Sequence, residues 1–392
     1  MGRIWRDGHI LLKLKLSLNT IPFGLRFIGV RYRPTDAKLC RARATLFCFS
    51  YIALGMFLLI HDFGTLMKDF EVSVTSTGIK LVMWNSQTII CQLFIHVWQR
   101  TDAFKAILDR FQEAEMVSTT FRKQRNRSQQ VAKFFYTLMA SLVPFYIVSS
   151  AAIRSYGYLM SYSGTRTELF NVHINIARAF ANYLNGTTLM VAVHFFSTFV
   201  RGLYWEAKAF NQDLKELKPS DPSKMCMELE RLLIKHTQLA RTVRCVDKVF
   251  SQFAFLMLCA NVPTLMFRLI RLMTRNHWAE ILDAIPSVTI FVYIYLGLTV
   301  APTQMRSELA KSTIILCGNK DIWAPYDAEV NRLARTLTLH FDQPDLGISL
   351  WGFAIVSKPL ILTTFSVMLT LLAFFLEFKN SNNAMRSTNF GA

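Results

Sequence analysis

Residues 179–200 read AFANYLNGTTLMVAVHFFSTFV, a run of 22 positions without any Asp, Glu, Lys or Arg. A helix of this length crosses the roughly 30 Å hydrocarbon core of a bilayer, because each residue adds about 1.5 Å. Helices of soluble proteins are usually shorter and keep one polar side for water. The run is therefore predicted to cross a membrane.

Six further runs of 17 to 20 residues are equally free of charged side chains. Seven such runs in succession, separated by charged segments, are typical of a polytopic membrane protein. The sequence predicts an all-α membrane protein with seven transmembrane helices, folded as one domain over 1–392 with its helical core at 44–378. The six further runs are 44–60, 81–97, 134–153, 249–267, 285–304 and 359–376.

Positive charge is shared unevenly between the connecting segments. The N-terminal tail 1–43 and the loops 98–133, 201–248 and 305–358 hold 34 of the 44 Lys and Arg residues, and the alternate segments hold 10. Cytosolic loops carry such an excess. The N-terminus is therefore predicted to be cytosolic and the short tail 379–392 extracellular. This asymmetry explains the formal charge of +18 without any nucleic-acid partner.

Three of the positive segments mix charged and apolar residues at helical spacing. These segments are 102–130, 206–247 and 326–338. Their pattern predicts membrane helices that extend into the cytosol and pack there as an anchor region.

No enzymatic motif is present in the sequence. It contains no phosphate-binding GxxxxGK[ST] loop, no HExxH and no paired CxxC. The chain is therefore expected not to be an enzyme and to have no cofactor or metal site. Two alternatives remain open, a seven-helix receptor of the G-protein-coupled kind and a membrane transporter. The predicted cytosolic N-terminus disfavours the first, and the lack of carboxylates within the runs disfavours a proton-coupled transporter.

The last run ends in a short recognisable pattern. Thr370 and Leu371 are followed by five apolar residues and then by Glu377 and Phe378. This resembles the last helix of invertebrate gustatory receptors, which ends in Thr-Tyr, five apolar residues and Gln-Phe. Leu371 stands in place of Tyr and Glu377 in place of Gln. With seven runs and an inner N-terminus, the chain resembles the insect-type chemoreceptor superfamily of gustatory and odorant receptors.

The resemblance implies a taste-type chemosensory receptor that acts as a subunit of a ligand-gated, non-selective cation channel. The implied assembly is a homo- or hetero-tetramer with related subunits, surrounded by lipid in the plasma membrane of a sensory neuron and opened by a small tastant or odorant.

The last helix is implied to line the pore. Thr370, Phe374, Glu377 and Phe378 fall on one broad face of it. The two Phe rings are predicted to gate the pore by excluding water, and the Glu377 carboxylates to attract cations.

A ligand pocket is expected in the outer halves of the other helices, because aromatic walls with a few polar groups hold small ligands. Ordinary helix packing is the alternative role for each candidate. A wider set of candidates includes Gln87 and Asn261. Arg268 and Arg271 are predicted to extend to lipid headgroups, with an acidic group of the ligand as the alternative partner. The predicted ligand-binding residues are Trp84, Tyr146, Tyr183, Phe267 and Tyr293.

Overall fold

The computed structural model describes residues 38–68, 72–101, 103–113, a few positions between 130 and 144, 172–218, 221–274, 278–324 and 326–389. Nearly all of these residues are helical. The elements are α1 Lys38–Lys68, α2 Val72–Arg100, α3 Ala103–Glu113, α4 Val172–Lys215, α5 Pro222–Thr274, α6 Trp278–Gly318, α7 Lys320–Trp323, α8 Ala328–Phe341, β1 Ser349–Leu350, β2 Ala354–Ile355 and α9 Lys358–Asn389.

Six of the seven predicted runs each lie within one long helix, namely α1, α2, α4, α5, α6 or α9. The stretches 222–270 and 284–318 are long and apolar enough to cross a membrane by themselves. Most of the run 134–153 and most of the tail 1–43 lie outside the described residues. The all-α class predicted from the runs is confirmed.

Three helices are much longer than a bilayer requires. α4 has 44 residues, α5 has 53 and α6 has 41, whereas about 20 residues are enough for one crossing. Of the three predicted extensions, 206–247 lies largely in α4 and α5, 326–338 lies largely in the separate helix α8, and 102–130 is described only in part. The name extension layer is used below for residues 201–248 and 305–341.

Hydrogen bonds between helices fix their relative directions. On α2 and α5, Gln87 Nε2 donates to Thr264 Oγ1 at 3.0 Å and Trp98 Nε1 donates to the Val249 carbonyl at 3.2 Å. Rising residue numbers on α2 thus meet falling numbers on α5, so the two helices are antiparallel. This is the direction expected of an even and an odd crossing of the membrane.

α4 and α6 run parallel and pack closely at a glycine. Ser197 Oγ donates to the Gly297 carbonyl at 3.0 Å. A Cβ atom on Gly297 would lie 2.9 Å from Val193 Cγ1, which is too close for a carbon–carbon contact. The missing side chain at Gly297 therefore allows these two helices to approach each other.

The core between α2, α4 and α5 is aromatic. Trp98 packs against Phe250 and Phe253 with ring centroids 4.8 and 5.0 Å apart. Phe196 of α4 meets Phe250 at 5.6 Å. Edge-to-face pairs of this kind add about 0.5–1.5 kcal/mol each to the burial of their surface.

A two-stranded hairpin connects α8 to the last helix. Ser349 N donates to Asp247 Oδ1 at 2.6 Å, which fixes β1 against α5. The turn has positive φ at Trp351, 52°, and at Gly352, 79°. Gly352 suits this conformation, since it has no Cβ atom to clash with the backbone. The hairpin thus sets where α9 begins.

A histidine pair lies inside the extension layer. His236 Nδ1 of α5 lies 3.0 Å from His340 Nδ1 of α8, and the Phe341 ring lies 4.6 Å from the His236 ring. His236 is only 1 % exposed. Burial, together with the nearby His340 and Arg244, lowers the pKa of His236 to about 3.

This pair predicts a fold that loses stability in acid. An unfolded histidine titrates near pH 6.5, so between about pH 6.5 and 3 the unfolded chain binds more protons than the folded chain. The unfolding temperature should therefore fall as pH decreases from about 6.5. Thermal unfolding of the detergent-purified chain at several pH values measures this slope. His236→Met should flatten it, whereas His96→Met in α2 should retain it, and equal slopes in the two variants would contradict the assignment.

Candidate functional site

A cluster of aromatic and polar side chains lies where α2, α5 and α6 meet, away from the extension layer. Trp84 of α2 is 5 % exposed, and its ring centroid lies 5.5 Å from that of Phe291 in α6. Arg268 of α5 places its guanidinium carbon 4.2 Å from the Phe291 centroid and 5.5 Å from the Trp84 centroid. The name polar cluster is used below for Trp84, Gln87, Asn261, Thr264, Arg268 and Phe291.

α4 reaches this cluster through a second glycine. A Cβ atom on Gly186 would lie 2.6 Å from Val143 Cγ1 and 3.6 Å from Trp84 Cζ2. Gly186 therefore lets the α4 backbone approach the indole ring. Val143 lies against the same glycine.

The two amide side chains of the cluster have a defined orientation. Thr264 Oγ1 donates to the Ala260 carbonyl at 2.7 Å, so this hydroxyl accepts from Gln87 and the NH₂ end of Gln87 must face it. Asn261 Nδ2 donates to the Phe291 carbonyl at 3.3 Å, and a carbonyl only accepts. The carbonyl oxygens of both amides therefore point elsewhere.

Three buried polar atoms on the uncharged side chains of the cluster have no hydrogen-bond partner within the described part of the chain. They are Trp84 Nε1, Gln87 Oε1 and Asn261 Oδ1. An unsatisfied buried polar group costs about 1–3 kcal/mol, and native proteins contain few of them. The Arg268 guanidinium adds further buried donor atoms to the same cluster, which makes the cluster a candidate site for a polar ligand.

The position of Arg268 differs from the one predicted from the sequence. It was expected to extend to the lipid headgroups, yet it is 3 % exposed and stacks between two aromatic rings. The faces of aromatic rings attract a guanidinium, which stabilises such a buried position by about 1–2 kcal/mol. The residue belongs to the polar cluster, not to the membrane surface.

The predicted ligand residues do not all gather at this cluster. Trp84 lies at its centre, whereas Tyr183 is 43 % exposed. Phe267 and Tyr293 are half-buried, and Tyr146 lies outside the described residues. Their roles in ligand binding stay predictions.

Sequence reasoning missed two members of the cluster, Thr264 and Phe291. A usable signal was present, since Asn261, Thr264 and Arg268 recur at intervals of three and four. This spacing places three polar residues on one face of an apolar helix.

The last helix packs against the rest of the chain along one narrow stripe. Met368 and Leu372 are buried, and Ile361 and Thr364 are half-buried. These residues recur every three or four positions and therefore share one face of α9. The remaining faces carry exposed large side chains, namely Leu362, Phe365, Val367, Leu369, Leu371 and Phe374.

The face opposite this stripe is polar. Thr363, Ser366, Thr370 and Glu377 are all exposed, and at about 100° per residue they lie roughly half a turn from Met368. The Thr363 and Thr370 hydroxyls donate to carbonyls of their own helix, those of Pro359 and Ser366, at 2.9 and 3.0 Å. Their oxygen lone pairs remain available on that face.

The predicted gate residues spread over two sides of α9. Thr370 and Glu377 belong to the polar face, and Phe374, 59 % exposed, lies beside it. Phe378 is within the helix, but its side chain is outside the described positions. Thr370 and Glu377 are both exposed in the described part of the chain.

The Tyr295 hydroxyl links α6 to the last helix. Tyr295 Oη lies 2.7 Å from Thr364 Oγ1 and 3.4 Å from the Ile361 carbonyl oxygen. Thr364 Oγ1 also lies 2.9 Å from that carbonyl oxygen. Tyr295 follows Phe291 by one helical turn, so the polar cluster and the last helix contact the same segment of α6.

Comparisons with known proteins give a consistent answer. A family model described as 7tm Chemosensory receptor matches residues 18–382. The insect olfactory receptor OR5 from Machilis hrabei has a similar structure, with a TM-score of 0.77 and 14 % identity over 94 % of this chain and 99 % of that one. The same receptor in complex with eugenol aligns with a TM-score of 0.72 and 13 % identity over the same shares. No curated protein sequence matches the chain.

The different burial of two predicted ligand residues gives a test of the site geometry. Trp84→Ala should lower the free energy of unfolding by about 3–5 kcal/mol, because it leaves a cavity between α2, α4 and α6. Tyr183→Ala should change it by about 0.5 kcal/mol or less, because the ring is exposed. Thermal unfolding of both purified variants measures the difference, and equal losses would contradict the arrangement.

Proposed function

The chain belongs to the 7tm chemosensory receptor family, and from this premise we propose that it is a subunit of a ligand-gated, non-selective cation channel. The resemblance noted in the last helix is confirmed at the level of this family. The proposed assembly is a tetramer of this chain, alone or with related subunits, in the plasma membrane of a sensory neuron. The proposed orientation has the N-terminus in the cytosol and the C-terminus outside.

The single observation that carries the proposal is the two-sided character of α9. One stripe, centred on Met368, packs against the chain, and the opposite stripe presents Thr363, Ser366, Thr370 and Glu377. Lipid tails cannot hydrogen-bond hydroxyls or a carboxylate, so a polar stripe is expected to face water or protein. In a central pore formed by four copies of α9, this polar stripe would face water. The apolar sides of each α9 would pack against the neighbouring subunits.

The pore chemistry follows from the residue types. Hydroxyl oxygens along the stripe can replace part of the hydration shell of a cation. Four Glu377 carboxylates near the outer mouth would concentrate cations and repel anions. Phe374 and Phe378 are proposed to narrow the pore by excluding water.

The polar cluster is the proposed ligand site. It combines aromatic walls with a few buried polar atoms, which is the usual composition of small-molecule sites. The OR5 structure with eugenol is of a relative of similar fold holding a small organic molecule. We favour a taste-type stimulus because of the gustatory-like end of α9, and an odorant is the alternative.

Coupling between ligand site and pore is proposed to pass through α6. Phe291 contacts Trp84 and Arg268, and Tyr295, one turn later, bonds the last helix at Thr364. A guest that displaces Phe291 would move Tyr295 with it, because both lie on one rigid helix.

The channel proposal predicts a charge effect at the mouth of the pore. In whole-cell recordings of ligand-evoked current, Glu377→Gln should lower the ratio of cation to anion permeability at least about twofold, and Glu377→Lys should lower it further. Glu230→Gln is the matched control, since this exposed carboxylate lies in the extension layer. If neither substitution at position 377 changes the permeability ratio, Glu377 does not line the pore.

Absence of current from chains shown at the cell surface, with and without co-expressed relatives and across a broad ligand screen, would overturn the channel. A G-protein-coupled receptor or a transporter would then be the remaining function. A labelled C-terminus found inside the cell would contradict the proposed orientation.

The coupling route predicts a gating phenotype at Tyr295. Tyr295→Phe removes one hydrogen bond, which is worth about 1 kcal/mol, and should shift the balance between open and closed channels roughly fivefold. We expect more current without ligand, because the bond ties the last helix to α6. Thr364→Val should act alike, and the double variant should add nothing further. Additive effects would show that the two residues act separately.

A further inference from the structure

The hairpin before the last helix carries an exposed aromatic surface beside two exposed lysines. We propose that this surface binds an anionic phospholipid of the cytosolic leaflet, with the headgroup on the lysines and the upper acyl chains on the rings. The name hairpin patch is used below for Lys248, Phe255, Trp351, Phe353 and Lys358. The inference uses the proposed orientation of the chain but not its channel activity.

Three aromatic rings form the apolar half of the hairpin patch. The Phe255 ring centroid of α5 lies 5.5 Å from that of Trp351 and 5.6 Å from that of Phe353. Trp351 is 52 % exposed and Phe353 is 77 % exposed. The rings therefore pack on one another and still leave an open apolar surface, and such surfaces with polar groups at their edge mark sites of interaction.

The tip of the hairpin is fixed against α5. Trp351 N donates to the Ser251 carbonyl at 3.3 Å, and Gly352 N donates to Ser349 Oγ at 3.3 Å. The φ of Trp351, 52°, is uncommon for a residue with a bulky side chain. The exposed position of the indole is therefore built into the backbone of the turn.

The hairpin patch lies at the level where two helices are predicted to enter the membrane. The apolar run 249–267 of α5 begins next to Lys248, and the run 359–376 of α9 begins next to Lys358. Both of these ends are cytosolic in the proposed orientation. Trp is enriched at this depth of a bilayer, because its ring contacts the lipid while its N–H remains near water.

Lys248 shares a face of α5 with the contacts to the hairpin. Lys248, Ser251 and Phe255 recur at intervals of three and four residues. Ser251 and Phe255 both contact the hairpin, and Lys248 is exposed one turn closer to the cytosol. Lys358, the first residue of α9, is also exposed. The chain thus brings two positive charges to the cytosolic boundary of the patch.

Charge complementarity identifies the partner as an anion. Neither Lys248 nor Lys358 has an ion pair within the described part of the chain. The carboxylates beside the hairpin are engaged, since Asp247 accepts from Ser349 and Asp345 pairs with an arginine of α5 at 3.4 Å. The N-terminal end of α9 favours an anion as well. Lipids of the cytosolic leaflet supply this charge together with tails for the rings.

A second copy of this chain is the rival occupant of the patch. It would have to present carboxylates at the same level of the membrane, and the two beside the hairpin are already engaged within their own chain. Charge therefore favours a lipid over a neighbouring subunit.

The test measures lipid retention by the purified full-length chain in native mass spectrometry. Titration with dioleoylphosphatidylserine and with dioleoylphosphatidylcholine compares an anionic and a zwitterionic headgroup on identical tails. The serine lipid should bind at least about fivefold more tightly, because each lysine near the headgroup adds attraction for a net negative charge. Equal affinities for the two lipids would overturn the proposal.

Charge variants locate this preference. Lys248→Gln combined with Lys358→Gln should bring the two affinities to within about twofold of each other. Lys224→Gln combined with Lys320→Gln is the matched control, since both residues are exposed in or near the extension layer and the same charge is removed. Lys224 precedes Lys248 by 24 residues, about 36 Å along α5. An equal loss of preference in the two double variants would contradict the assignment.

Aromatic variants test the contact with the tails. Trp351→Ala combined with Phe353→Ala should weaken binding of both lipids by a similar factor, at least about threefold, because the rings contact the tails and not the headgroup. Tyr326→Ala combined with Leu339→Ala removes two side chains that are 75 % and 76 % exposed on the cytosolic side, and it should leave both affinities unchanged. Unchanged affinities in the Trp351 and Phe353 variant would overturn the proposal.

Two further measurements separate the lipid from other occupants. Glycerophosphoserine, which has the headgroup but no tails, should displace no serine lipid at equal concentration, and displacement would show a site for free phosphate groups instead. The same spectra give the number of chains in the assembly. If the aromatic variant changes that number and leaves lipid retention unchanged, a neighbouring subunit occupies the patch and the proposal is wrong.

These results do not depend on whether the other proposals hold. The comparison of the two lipids on the unaltered chain needs no variant, and size-exclusion profiles identify any variant that fails to fold. The binding measurement requires neither current nor a known orientation. Lipid preference without current in cells supports this inference and counts against the channel alone, and a ligand-evoked current without lipid preference does the reverse.

Discussion

The structure depends on one constraint, that the interior of a bilayer offers no water to satisfy a polar group. Helices satisfy the backbone within each segment, and polar side chains must find partners on neighbouring helices. Asn185 Nδ2 therefore donates to Asn85 Oδ1 at 2.9 Å, and Gln92 Nε2 to Thr188 Oγ1 at 2.8 Å, which join α2 to α4. By contrast, Trp84 Nε1, Gln87 Oε1 and Asn261 Oδ1 are among the buried polar atoms that have no hydrogen-bond partner in the described part of the chain.

α6 connects the parts of the molecule that matter for signalling. It packs closely on α4 at Gly297, supplies Phe291 to the polar cluster, and reaches the last helix through Tyr295. The proposed coupling depends on these contacts, because they all lie on one continuous helix.

Buried polar contacts between helices hold the extension layer together. Asn211 Nδ2 of α4 donates to the Glu308 carbonyl of α6 at 2.8 Å, and Ser312 Oγ donates to Asn211 Oδ1 at 2.6 Å. His236 and His340 join α5 to α8 in the same layer. These buried polar contacts fix where α8 and the hairpin deliver the chain to the last helix.

The sequence by itself determined the class of fold and much of its arrangement. Charge-free runs such as 179–200 predict helices because their length and composition suit only a membrane crossing, and the amphipathic segments predict the extensions. The pattern of Thr370, Leu371, Glu377 and Phe378 pointed to the chemosensory receptor family that the family model also matches. Periodicity also placed Thr370 and Glu377 on one face of α9, since spacing along a helix is a local property.

Only the tertiary structure decided which side chains meet. Periodicity fixes the face of a helix but not its neighbour, so the pairing of Gln87 with Thr264, and of Phe291 with Trp84 and Arg268, could not be read along the chain. Arg268 shows the reason most clearly. A cation at the end of an apolar run normally extends to water, whereas Arg268 is buried against the aromatic faces that α2 and α6 bring there.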